Sequence, residues 1–179
     1  MSEKSQENTL LSEIVEYGKY ALDLEMKREE SLITQANQMT TAFSFSTAAL
    51  YILFQIGLEH YNQLTKDYLL YAVALITFLL LLCLLFAFLA LWRWKQNSFH
   101  SANDFFEYVS KNEKKFLEND YSFLLEWKSA ITEKHSRLFE LNNRRGLFLK
   151  LSMGCFFSAL VTVFIFGTKA FIIIVGGSI

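Results

Sequence analysis

From Tyr68 to Trp92 the chain runs 25 residues without a charged side chain, and no other feature restricts its fold so strongly. As a helix rising about 1.5 Å per residue, this stretch is longer than the roughly 30 Å hydrocarbon core of a bilayer. It predicts a membrane-spanning helix. Leu151 to Thr168 is a second uncharged run, 18 residues held between Lys150 and Lys169, whose ammonium groups can reach the headgroups. A third, Ala42 to Leu58, has 17 residues and includes Ser44, Ser46, Thr47 and Gln55, at the lower limit of length and hydropathy for a span. The expected fold is an all-α membrane protein with three transmembrane helices at 42–58, 68–92 and 151–168, a short outer loop at 59–67 and an outer tail at 169–179.

Basic residues near membrane ends are retained in the cytoplasm, so their distribution sets orientation. In a three-crossing arrangement 15 of the 17 Lys and Arg side chains share one face, and only Lys66 and Lys169 fall on the other. This predicts a cytoplasmic N-terminus. Trp92, Arg93, Trp94 and Lys95 after the second span, and Arg144, Arg145 and Lys150 before the third, are the expected interfacial anchors. The acidic start has no basic segment followed by an apolar core, which argues against a cleaved signal peptide.

The cytoplasmic part reads as a three-helix bundle. Leu11, Ile14, Gly18, Ala21, Leu22, Leu32 and Ala36 form an apolar stripe near the heptad period. The chain has no proline, and nothing between Thr34 and Thr41 breaks a helix, so residues 1–41 are expected to continue into the first span as one helix of about 50 residues. Residues 93–150 must leave the membrane and return. They predict a hairpin that turns near Glu118-Asn119-Asp120-Tyr121, since Asn and Asp satisfy turn backbone locally. One arm carries Phe105, Val109, Phe116 and Leu117, the other Leu124, Trp127, Ile131, Leu138 and Phe139. Lys111, Glu113, Lys114, Lys115 and Glu118 read as a solvated face of the first arm.

Chemistry is harder to find. A net charge of -1 sets aside bulk binding of nucleic acid. His60, His100 and His135 are isolated, and there is no Cys-x-x-Cys, no phosphate loop and no nucleophile with a base in a recognisable pattern. Cys83 and Cys155 lie inside apolar runs, where a thiol behaves as a small hydrophobe. The expectation is a non-enzyme with no cofactor and no metal site. The spans also lack interior ionisable groups, which disfavours ion-coupled transport.

Asn37, Thr40, Ser44, Thr47, Tyr51 and Gln55 recur at steps of 3, 4, 3, 4 and 4, and so share one helix face. Two readings stand open. The face packs within the protomer, or copies of the chain arrange it around a shared lumen, which three spans alone cannot enclose. Gly154, Ser158 and Thr162 form a small-residue ladder in the third span, suited to close helix association.

Arg28 to Leu50, REESLITQANQMTTAFSFSTAAL, passes from a charged helix through a Gln-Asn-Gln patch into a Ser, Thr and Ala-rich span. This resembles the SLATT-like membrane effector domains of bacterial nucleotide-signalling and anti-phage systems. The resemblance covers roughly residues 25–145 and implies a bacterial inner-membrane effector that oligomerises and permeabilises the membrane on a cytoplasmic trigger, with a separate sensor protein as partner. The alternative expectation is a non-conducting scaffold or accessory subunit that tethers a cytoplasmic partner through coiled-coil contacts.

Overall fold

The structure is a computed structural model that describes residues 3–59, 66–92, 107, 110, 111 and 120–176. Three helices carry these residues: α1 (Glu3–Glu59), α2 (Lys66–Leu91) and α3 (Asp120–Gly176). Arg93, Trp94, Lys95, His60, His100, the first arm of the expected hairpin and the Glu118-Asn119 part of its turn lie outside the described residues. Glu107 and Lys111 form an exposed ion pair at 2.7 Å one helical turn apart.

The 57-residue α1 follows from the absence of any breaker between its charged half and its apolar half. The third helix departs from the expected layout. The second hairpin arm and the third span are one 57-residue helix, which continues beyond Thr168 to Gly176. Gly146 keeps ordinary helical dihedrals, and Asn142 turns its polarity inward rather than capping an end, so the Asn-Asn-Arg-Arg-Gly stretch does not interrupt the helix.

Two of the helices are long and apolar enough to cross a membrane, α2 over Leu70–Leu91 and α3 within Tyr121–Ile173. Only 28 % and 6 % of their apolar windows are buried inside the protein, whereas the core helix of a soluble protein would be mostly covered. Phe78, Leu85, Phe88, Phe157, Phe164 and Phe171 are among the large apolar side chains left exposed. Such a surface is suited to lipid.

The chain divides into two compact units, the first Met1–Ser31 with Arg93–Asn143, the second Leu32–Trp92 with Arg144–Ile179. Along α1 the buried residues Leu11, Val15, Ala36 and Met39 and the half-buried Gly18, Leu22, Glu25, Glu29, Leu32, Phe43, Ser46 and Leu50 fall on one repeat of four and three, flanked by other half-buried residues such as Ala21, Arg28 and Ile33. Along α3 every buried residue falls on the same kind of repeat: Ile131, Leu138, Asn142, Arg145, Leu149, Ser152 and Ala159. A repeat averaging 3.5 residues is the pattern of a left-handed coiled coil.

In the first unit, Gly18 packs against Ile131, and Glu25 and Arg28 meet Asn142 and Asn143. Residue numbers rise together on both helices, so α1 and α3 are parallel. A Cβ on Gly18 would lie 2.9 Å from Ile131 Cγ2, which makes this the closest helix approach at any described glycine. In the second unit, Ala36, Met39, Cys83, Ala87, Ala90 and Leu149 form one buried cluster, and Ile76, Leu80 and Ala159 another. Tyr68 donates to the Phe166 carbonyl at 3.1 Å, and Ser152 donates to the Cys83 carbonyl at 2.9 Å. Numbers on α2 fall as those on α3 rise, so these two helices are antiparallel. Alanine, serine and cysteine at the contact keep the two backbones close.

Candidate functional site

The face of α1 that enters the second unit's core is apolar: Ala36 and Met39 are buried, and Phe43 and Leu50 pack against the Ile76 cluster. The polar face is turned away from it. Asn37, Ser44, Thr47, Tyr51 and Gln55 are exposed and Thr40 is half-buried. Among the described residues, then, most of this face is left uncovered.

Its side chains satisfy themselves locally. Thr40 donates to the Ala36 carbonyl, Ser44 to that of Thr40 and Thr47 to that of Phe43, at 3.1, 3.2 and 2.9 Å. Such back-bonding to the carbonyl four residues earlier is how hydroxyls are accommodated in a helix without solvent. Gln55 Nε2 donates to the Tyr51 hydroxyl at 2.9 Å. No charged residue occurs from Ser31 to Leu58, so the face is neutral throughout.

The small-residue ladder on α3 also faces outward. Gly154 and Ser158 are exposed, Thr162 is half-buried, and a Cβ built on Gly154 would meet nothing within 4 Å. Ser158 and Thr162 donate to the Gly154 and Ser158 carbonyls, both at 2.8 Å. Helix association within the second unit uses Ser152 and Ala159 instead, one step around the helix. Their place on the 3.5-residue repeat was the available sequence signal.

Among the expected anchors, Trp92, Arg144 and Lys150 are exposed, whereas Arg145 is buried on the α3 repeat. Among the described residues, no group of three or more His, Cys, Asp or Glu side chains is placed to hold a metal ion.

The first unit holds a polar cluster that sequence reasoning missed. Asn142, with none of its surface exposed, donates through Nδ2 to the Glu25 backbone carbonyl at 2.8 Å and to Glu25 Oε2 at 2.9 Å. The Arg28 guanidinium lies 3.3 Å from Glu25 Oε1, donates to Asn143 Oδ1 at 2.9 Å and sits 5.9 Å from the centre of the Phe139 ring. Asn142 Oδ1 is buried with no hydrogen-bond partner. The signal was there in principle, since Glu25 and Asn142 both fall on the 3.5-residue repeats.

Comparisons with protein-family models, with curated proteins and with solved structures find no match to this chain.

Proposed function

We propose that this chain is an oligomeric membrane effector of the bacterial inner membrane, in which the polar face of α1 lines a water-filled path that opens on a cytoplasmic trigger. In this reading residues 42–58 form a third span, the N-terminus is cytoplasmic, and the charged portion forms a three-helix bundle that receives the signal from a separate sensor protein. The parallel course of α1 and α3, with α2 antiparallel to α3, supports three crossings. The resemblance of Arg28 to Leu50 to SLATT-like effectors supports the anti-phage role.

The observation that carries the proposal is the outward exposure of Ser44, Thr47, Tyr51 and Gln55. Hydrocarbon offers no hydrogen bonds, so the lone pairs of Ser44 and Thr47 and the part of the Gln55 amide not bonded to Tyr51 would go unmet there. A neutral polar face in a span is therefore better covered by water or by other copies of the chain than by lipid. The expected lumen residues are Asn37, Thr40, Ser44, Thr47, Tyr51 and Gln55, and the Gly154, Ser158 and Thr162 ladder is the expected contact between copies.

The test is membrane potential and dye entry in bacteria expressing the chain, alone and with its neighbouring genes under phage challenge. Trigger-dependent depolarisation that is lost in a Ser44→Leu, Thr47→Leu, Gln55→Leu variant, with insertion intact, supports the proposal. Unchanged depolarisation in that variant refutes the lumen assignment.

A second reading is a non-conducting scaffold, favoured by the exposed apolar stripe Leu10, Ile14, Tyr17 and Leu24 on α1, at coiled-coil spacing. Intact potential under every condition, together with loss of a cytoplasmic partner on polar substitution of that stripe, is the outcome it requires.

A further inference from the structure

We propose that the Glu25 and Asn142 layer is a register lock, a built-in device that holds α1 and α3 of the first unit in one alignment and excludes the alignments one heptad away. The inference stands independently of membrane permeabilisation.

Its basis is the pairing of Glu25 with Asn142 in a seam whose other first-unit positions are mostly apolar, Glu29 being an exception. With the four-residue step taken as d to a, Asn142 occupies an a position of α3 and Glu25 a d position of α1. An asparagine at an a position is known to specify register and partner number in coiled coils at a cost in stability, because a mismatch strands its amide in an apolar layer. Here the amide is fully buried, and both acceptors of its Nδ2 belong to one residue of the facing helix. No other alignment repeats that arrangement. A slip of one heptad, about 10.5 Å along the axis, brings Gly18 or Leu32 to the place where Asn142 now meets Glu25, and neither offers a side-chain acceptor.

The rest of the layer adds to the selectivity. Arg28 reaches Glu25 and Asn143 together, tying the rim of the seam to the same alignment. The buried Asn142 Oδ1 makes no hydrogen bond, so the layer carries a cost that leucine would avoid. Such a layer favours a single alignment over maximal stability. Seam positions that are apolar on both helices discriminate less, because an apolar side chain one heptad away meets another; the close contact of Gly18 with Ile131 is the exception.

Disulfide trapping tests the proposal. In full-length chain with Cys83→Ala and Cys155→Ala, the native pair Gly18→Cys with Ile131→Cys should oxidise readily: the Cβ built on Gly18 is 3.9 Å from the Ile131 Cβ, inside the range a disulfide spans. The offset pairs, Gly18→Cys with Leu124→Cys or with Leu138→Cys, should not cross-link. Introducing Glu25→Leu and Asn142→Leu should make at least one offset pair cross-link at a yield comparable with the native pair, while Glu25→Gln, which keeps an acceptor for Asn142, should leave only the native disulfide. If the double-leucine chain gives no disulfide in any pair, Asn142→Ala is read with the same pairs. Offset pairs that stay silent when the layer is removed overturn the proposal and assign register to apolar packing.

Discussion

Replacing Gly18 with alanine tests how closely α1 and α3 approach. On helix propensity alone the change is favourable, since glycine in a helix interior is worse than alanine by about 0.5–1 kcal/mol. The structure opposes it. The new Cβ would stand 2.9 Å from Ile131 Cγ2, whereas carbon atoms pack best at about 3.5–4.0 Å. That methyl group is attached directly to the β-carbon of a branched side chain with one strongly preferred helical rotamer, and Ile131 is itself buried, so it cannot swing aside. The helices must separate instead. Overpacking of this kind costs about 1–3 kcal/mol, which outweighs the propensity gain and leaves a net loss of about 1 kcal/mol. Reversible unfolding in detergent micelles, followed by far-ultraviolet circular dichroism, would measure it. Ile131→Ala alone should cost about 2–5 kcal/mol. Combined with Gly18→Ala it should cost less than the sum by about 1–2 kcal/mol, because the new methyl enters the space left by Cγ2. A Gly18→Ala chain at least as stable as the original, or an additive cycle, would refute the close approach.

Glu25→Leu with Asn142 intact should destabilise the fold by about 1–3 kcal/mol by removing the amide's side-chain acceptor, and adding Asn142→Leu should restore most of the loss, read from the same unfolding curves. Ser152→Ala should cost about 1 kcal/mol through loss of its bond to the Cys83 carbonyl, whereas Ser152→Leu should prevent close packing of α2 on α3 and be visible as lost thermal stability. The Asp23 carboxylate holds the Lys27 ammonium above the usual lysine range. Any contribution of that exposed pair is therefore complete below the ordinary lysine pKa and fades only as pH rises through the raised value. Lys27→Gln should melt indistinguishably from the parent at neutral pH and physiological salt.

The long uncharged run in α2 was legible because length and apolarity alone decide it, and the unbroken α1 because no proline or turn cluster interrupts it. The seam of α1 was harder to read. Ile14 and Val15 are both apolar, and the spacing from Leu11 and Gly18 admits either, but Ile14 is exposed and Val15 is buried. Glu25 and Glu29 then interrupt the pattern at the positions that would have disclosed the true repeat. On α3, Leu124 and Trp127 are half-buried and Ile131 and Leu138 buried, as their spacing predicts, while Phe139 lies about half exposed beside the seam and stacks on His135 at 6.2 Å. The polar face of α1 was visible from spacing, but its direction was not: periodicity groups residues onto a face without saying what the face meets. The Asn142 cluster escaped for a related reason, since two adjacent asparagines suggest a helix end unless a distant acceptor is known.

The back-bonded hydroxyls of α1 have one more consequence. Thr40, Ser44 and Thr47 each commit their single hydroxyl proton to a carbonyl of their own helix, so what they hold out to their surroundings is lone pairs. These three hydroxyls can accept hydrogen bonds but, in this conformation, cannot donate them, whereas Tyr51 and Gln55 further along still carry protons to donate. Anything that solvates the stretch from Thr40 to Thr47 must bring protons or a positive end of a dipole to its hydroxyls, and a stretch that is formally neutral thereby acquires a preference of sign.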